Sequence, residues 1–204
     1  MTSRLLFLAR HGETAWNSEQ RWQGQTDIAL NATGRAQAAG LAARLAGHGI
    51  GQVYASDLSR ARETAEIAAR HLGIAPVTFD AGLRERGYGV FEGLTREECE
   101  AQQAEEWARY LSDRRYTPVG GELEHQVVAR MQAAVARAGA RPHGHDAAGP
   151  DAVLIVSHGG ALRALIAAAT GWRPPPMGNA DTFRMVLDTD GNLRDPELIP
   201  GSAA

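Results

Sequence analysis

With 204 residues, 44% of them apolar, the chain is long enough to bury one sizeable core and too apolar to stay disordered. A formal net charge of −3 argues against a nucleic-acid partner, which calls for a basic excess, but leaves room for a local positive cleft. The single cysteine, Cys99, excludes an internal disulfide and cysteine-based zinc spacing, and reads as an inert thiol in a reducing compartment.

In chain order, residues 4–9 read as a buried strand. This apolar run is shorter than a signal-peptide core of about 7–15 residues and meets Arg10 and Glu13 at once. Residues 33–47 predict an alanine-rich helix stopped by Gly47 and Gly49, and 52–55 a short strand. Ser56 or Asp57 is the expected cap of the next helix, which shows Leu58, Ala61, Ala65, Ala68 and Leu72 on one face. Residues 76–79 read as a strand at an edge, since Pro76 cannot donate to a ladder. A glycine-marked loop (Gly87, Gly89, Gly93) leads to a polar helix capped by Thr95 and running to about Tyr110. Residues 118–121 break it, and 122–138 predict a further helix. The stretch 141–151 is a loop by composition, and His143, His145 and Asp146 within it read as solvent-exposed rather than metal-binding. A buried strand at 152–157, a helix from Gly159 or Gly160 to Thr170, a turn at 174–176 and a last strand at 182–187 complete the chain. The apolar stretch 164–170 is far below the about 20 residues of a membrane span, so a soluble, cytoplasmic protein with no membrane partner is expected. Strands alternating with helices predict an α/β sandwich with a largely parallel sheet, as a single domain over residues 1–204.

Two strand ends carry the chemistry. Arg10-His11-Gly12 follows the first apolar run, and His158-Gly159 follows the run at 153–157. Ligands of open α/β sheets collect at such ends. A neutral imidazole is a competent nucleophile and a phosphorylated one a good leaving group. Arginine binds phosphoryl oxygens through a planar fork, and Gly12 lets backbone approach a ligand. Phosphate is therefore the leading candidate for the bound group. Arg60 or Arg62, in the first turn of a helix, could add a second guanidinium, and the pattern does not choose between them. Glu85 could serve as general acid and base, with Glu92 as the competing carboxylate and a surface ion pair as the alternative role.

Together these residues resemble the histidine phosphatase superfamily, in its phosphoglycerate mutase-like branch. The resemblance is carried by Leu8 to Asn17, Arg21-Trp22-Gln23-Gly24-Gln25-Thr26-Asp27, Leu30 to Gly34, Ser56 to Ala65, Leu83 to Gly93 and Val156 to Gly160. It implies a three-layer α/β/α sandwich with a helical cap insertion at about 94–122. It implies that His11 becomes phosphohistidine, that Arg10, Arg60 and His158 hold the phosphoryl group, and that Glu85 moves the proton. Asn17, Gln23, Gly24 and Tyr88 fall on pocket-lining positions, and the family needs no metal. The substrate expected is a small phosphorylated metabolite, with a homodimer left open.

The branch divides into phosphatases and mutases. Gln23 stands where cofactor-dependent mutases typically have Thr, Gly160 where they have Asn, and the chain is shorter, which favours a phosphatase without cofactor. Tyr88, and Arg114-Arg115 in the cap, pull toward a mutase, which would need 2,3-bisphosphoglycerate. Leu123 replaces a Ser common in family phosphatases. Trp107, Tyr110, Arg114 and Arg115 are the expected lining of the cap, although Trp107 also suits a core. A catalytically silent scaffold would have lost one of His11, Arg10, Arg60, Glu85 or His158, and all are present.

Overall fold

The apolar runs become strands buried on both faces, which is why they read as continuous rather than alternating. The computed structural model describes residues 3–113, 116–140 and 151–201; Arg114, Arg115, His143, His145 and Asp146 lie outside the described residues. The strands are β1 (Arg4–Arg10), β2 (Ile50–Ala55), β3 (Val77–Phe79), β4 (Ala152–Ser157), β5 (Thr182–Leu187) and β6 (Leu193–Ile199). They form one sheet in the order β3-β2-β4-β1-β5-β6. The pairs β1/β4, β2/β4 and β2/β3 are parallel; β1/β5 and β5/β6 are antiparallel.

Helices cover both faces. Leu6 and Leu8, with Val153 and Ile155, face α6 (Glu124–Ala140) and α7 (Gly159–Thr170). Phe7 and Ala9, with Leu154 and Val156, face α2 (Ala32–Leu45) and α3 (Ser59–Leu72). This is the expected three-layer α/β/α sandwich. The shorter helices are α1 (Ala15–Ser18), α4 (Arg96–Gln102) and α5 (Ala104–Ser112). None of the described helices is long and apolar enough to cross a membrane.

Four local expectations are corrected. The strand 182–187 is not the last: a turn with Gly191 at φ 85° returns the chain as β6, which Pro196 and its charged neighbours disguise. Such residues are tolerated there because β6 is an edge strand. The helix after Thr95 does begin with a capping box, Glu98 N–H donating to Thr95 Oγ1 and Thr95 N–H to Glu98 Oε2. It breaks at Gln103, however, because buried Cys99 and Trp107 both fold onto Phe91. On an unbroken helix those two residues would stand about 12 Å apart along the axis. Neither Ser56 nor Asp57 caps α3, whose flanking residue Leu58 offers no side-chain cap. Asp27 does so from a distant loop, accepting from Ser59 N–H at 2.8 Å and Ser59 Oγ at 2.7 Å, while Asp57 is held by Arg84. The helix expected at 122–138 starts at Glu124, and Glu122 turns back to pair with Arg130 at 2.7 Å.

Register sets the site. Arg10 pairs with Ser157, and Ala9 and Ala55 both pair with Val156, so β1, β2 and β4 end side by side. The chain leaving β1 then crosses α2 backbone to backbone. Asn31 caps α2 by accepting from Gly34 N–H at 2.8 Å and donates to Glu13 Oε1 at 2.7 Å. A Cβ on Gly34 would strike the Glu13 carbonyl oxygen, and one on Gly12 the Gly34 carbonyl oxygen. Helix propensity alone makes Gly34→Ala stabilising by about 1 kcal/mol. Overpacking of backbone costs about 1–3 kcal/mol and here should win. Gly34→Ala is expected to lower the urea midpoint at unchanged m-value; a raised midpoint would refute the close crossing.

Candidate active site

His11 follows the end of β1 and lines a cavity. It is buried, and its Nδ1 lies 2.6 Å from the Gly12 carbonyl oxygen. A carbonyl only accepts, so Nδ1 carries the proton and Nε2 keeps its lone pair. The peptide joining His11 and Gly12 is clamped from both ends. Gly12 N–H donates to Thr64 Oγ1 at 3.0 Å, and the Thr64 hydroxyl donates to the Arg60 carbonyl at 2.7 Å. The His11 carbonyl accepts from Asn179 Nδ2 at 3.1 Å. Burial holds His11 well below the usual histidine range, and the nearby Arg60 and Arg10 push the same way, so the ring is neutral.

Two cations flank it, and among the described residues neither forms an ion pair with a carboxylate. Arg60 is wholly buried; Nη1 donates to the Thr26 carbonyl at 2.8 Å, Nη2 to that of Gly24 at 2.7 Å, and Nε is unbonded. Desolvation lowers its guanidinium to about 10, still cationic at neutral pH. Arg10 Nη1 donates to the Met177 carbonyl at 2.5 Å, and Gly159 leaves room beside its chain, where a Cβ would lie 3.3 Å from Arg10 Cδ. Arg62, the alternative to Arg60, instead covers the ring of Phe79 at 4.2 Å.

His158 follows β4 and meets His11 edge to face, with ring centroids 5.1 Å apart. It is fully buried, and neither ring nitrogen has a hydrogen-bond partner. Burial, then the charge of Arg60, holds it well below the usual histidine range. Such a buried, unsatisfied polar ring costs about 1–3 kcal/mol unless something enters to pair with it.

Glu85 caps the start of α7. Oε2 accepts from Gly160 N–H at 2.9 Å; Oε1 accepts from Ala161 N–H at 2.7 Å and Arg86 N–H at 2.8 Å. The loop behind it is gripped by Arg130, which donates to the carbonyls of Gly82, Arg84 and Glu85. A Cβ on Gly160 would stand 2.7 Å from Glu85 Oε1 and 2.6 Å from the Tyr88 hydroxyl. Glu92, the competing carboxylate, is committed elsewhere: it accepts from the backbone of Gln25, Thr26 and Tyr88 and so ties two loops together.

The cavity above has a volume of about 500 Å³ and is lined by Arg10, His11, Arg60 and Glu85 together with Asn17, Gln23, Gly24 and Tyr88. Of the nine residues given catalytic or pocket-lining roles by the resemblance, all but His158 line this wall, and His158 stands edge to face against His11 with its ring nitrogens unpaired. Asn17 also serves the capping box of α1 with Thr14, and Gln23 Oε1 is buried without a partner. Burial raises the Tyr88 hydroxyl above its ordinary range, so it stays protonated. Trp107 and Tyr110 are not in the lining. Trp107 is buried against Phe91, Tyr110 and Trp22, and burial pushes the nearby Cys99 thiol up to about 11. The outer wall comes instead from Trp16, Gln20, Arg21, Trp22, Arg163 and Met177. The resemblance motif contained Arg21 and Trp22, but no sequence pattern singled out Thr64, Asn179 or Arg130.

The histidine phosphatase superfamily (branch 1) family model matches residues 6–191. The chain belongs to this superfamily. Phosphoglycerate mutase-like protein 4 of Arabidopsis thaliana is 38% identical over 191 residues, covering 92% of this chain and 77% of the relative. The probable phosphoglycerate mutase GpmB of Salmonella paratyphi A is 39% identical over 175 residues, 81% of this chain and 74% of the relative. Mycobacterial glucosyl-3-phosphoglycerate phosphatase, solved with VO3, superposes with a TM-score of 0.84 at 31% identity over 98% of this chain and all of that one. Superfamily members are thus represented by both phosphatases and mutases, on a fold that this chain shares throughout.

Thr64→Val leaves the Gly12 N–H buried without an acceptor, at a cost of about 1–3 kcal/mol. It should also loosen the His11 tautomer, seen by ¹⁵N NMR as mixed Nδ1–H and Nε2–H signals, with Thr64→Ser restoring the single form. An unchanged tautomer in Thr64→Val would dismiss the clamp.

The two depressed histidines also fix a pH dependence. Each binds a proton in the unfolded chain below about pH 6.5 but not in the fold, so stability present above that pH is lost as pH falls. The slope is at most about 1.4 kcal/mol per pH unit for each. Denaturant melts between pH 6.5 and 5.0 should show it, and His158→Asn should shrink it; a slope independent of His158 would contradict its neutral burial.

Proposed function

We propose that the protein is a phosphomonoester hydrolase working through a phosphohistidine at His11, on a small phosphorylated metabolite. The observation that carries this is the bare Nε2 of a neutral imidazole beside two guanidiniums that form no ion pair among the described residues. Phosphoryl transfer asks mainly for alignment and charge compensation. Nε2 attacks phosphorus as the ester P–O bond breaks; Arg10, Arg60 and His158 take the phosphoryl oxygens; Glu85 gives its proton to the departing alkoxide. Water then attacks the phosphohistidine, Glu85 takes its proton, and the P–N bond breaks to release phosphate. The unpaired N–H of neutral His158 and the Nε–H of Arg60 suit a group that arrives with its own acceptors. All roles are filled by side chains of the site, so activity in the presence of chelator is expected.

A mutase acting with 2,3-bisphosphoglycerate is the second reading, favoured by the names of the Arabidopsis and Salmonella relatives. Against it, the glycine at position 160 places no side chain between Glu85 and the cavity where a returning acid could be held.

Protein quenched during turnover of p-nitrophenyl phosphate in chelator should carry acid-labile phosphate on His11, and His11→Ala should lose turnover by at least about 10³-fold. With 3-phosphoglycerate, release of inorganic phosphate should outpace isomerisation with or without 2,3-bisphosphoglycerate. Faster bisphosphate-dependent isomerisation would establish the mutase, and complete inactivity would return the silent scaffold.

A further inference from the structure

Four arginines line the cavity, and they differ in how their charge is met. Arg10 and Arg60 flank His11. Arg21 pairs with Glu19 at 2.8 Å and with Glu98, and donates to the Gly93 carbonyl. Arg163 stands apart. It lies one helical turn after Gly159 on α7, hence on the face of the helix whose first N–H groups hold Glu85. Nε donates to the Pro174 carbonyl at 2.9 Å, which fixes the plane of the guanidinium. Nη1 and Nη2 have no hydrogen-bond partner, and no carboxylate forms an ion pair with Arg163 among the described residues. The side chain is half-buried, so part of its hydration has been given up without an ion pair in return, and the nearby Arg173 adds a like charge.

Its location matters for the chemistry. Arg163 shares the cavity wall with Glu85 and Tyr88 and interacts electrostatically with both. In the proposed reaction Glu85 protonates the leaving oxygen, so the organic part of the substrate extends from the phosphoryl group past this wall. A volume of about 500 Å³ is of metabolite size and exceeds what a phosphoryl group alone fills.

We infer that Arg163 is a subsite for a second anionic group, carboxylate or phosphoryl, on the leaving-group side of the phosphomonoester. An arginine anchored through Nε presents its Nη1/Nη2 edge as a fork for two oxygens. The inference rests on the phosphatase reading and adds the substrate's charge pattern to it. The competing role is structural: Arg163 tying α7 to the segment at 174–177 through Pro174.

Two matched substrate pairs separate these roles: 3-phosphoglycerate against glycerol 3-phosphate, and fructose 1,6-bisphosphate against fructose 6-phosphate. The first pair differs by a carboxylate, the second by a phosphoryl group. The parent protein should prefer the doubly anionic member of at least one pair in kcat/KM, and the pair that responds identifies the group. Arg163→Gln should cut that preference about 10- to 100-fold. Arg163→Lys, which keeps the charge but not the fork, should fall between. Equal losses on both members of each pair, or no preference in the parent, would overturn the subsite and leave the structural role. Calorimetric binding of the same pairs to parent and Arg163→Gln protein reads the subsite without turnover. An inactive parent that still binds the anionic members more tightly through Arg163 would sink the phosphatase reading alone, and one without that difference would sink both.

Discussion

The donor bond from His11 Nδ1 to the Gly12 carbonyl, at 2.6 Å, is the interaction on which the chemistry of this site depends. It decides which nitrogen is bare, and it is an i to i+1 contact that depends on the local backbone shape. That shape is imposed from outside the segment. Thr64 on α3 takes the Gly12 N–H, Asn179 holds the His11 carbonyl, and Gly34 on α2 lets the backbone pass at contact distance. Both helices are thereby coupled to one imidazole. Thr64 also donates to the carbonyl of Arg60, so the His11 imidazole and a flanking cation share a support.

A second constraint concerns how cations are held. Arg10, Arg60 and Arg163 are oriented by backbone carbonyls, of Met177, of Gly24 and Thr26, and of Pro174. A carbonyl dipole fixes direction without cancelling charge, so the field remains for a ligand. Elsewhere several arginines are paired with carboxylates: Arg84 with Asp57, Arg130 with Glu122, Arg137 with Asp80. Those arginines brace loops. Within the cavity, Arg10, Arg60 and Arg163 keep their charge without an ion pair among the described residues, at the cost of desolvation that lowers Arg60 and Arg10 from the ordinary arginine value. The overall charge of −3 gives no hint of this local excess.

The outer part of the cavity is shaped by a satellite cluster. Trp22 packs edge to face on Tyr88, Trp107 and Tyr110, joining α5 to the loop that follows α1. Trp107 and Tyr110 therefore act on the cavity through Trp22, rather than by lining it themselves. Glu92 completes this arrangement by accepting backbone N–H groups from both loops. A substrate body would meet Trp16 and Trp22 on this side and Arg163 on the other.

The sequence by itself determined the sandwich and which residues gather at the carboxyl ends of its strands. Buried strands announce themselves as unbroken apolar runs, and charged or imidazole residues at their ends have nowhere to go but the sheet's carboxyl edge, so Arg10, His11 and His158 were legible. Ordered motifs likewise singled out Arg60 and Glu85 over Arg62 and Glu92. What only the tertiary structure decided were matters of long-range pairing. Asp27 caps a helix more than thirty residues away, a break at Gln103 appears without Gly or Pro, and β6 forms despite Pro196. Thr64, Asn179, Arg130 and Arg163 look like ordinary helix or loop residues, because their roles consist of bonds to backbone groups of distant segments. A backbone carbonyl carries no residue identity, so no one-dimensional pattern can record which arginine it holds or which arginine it leaves with charge to spare.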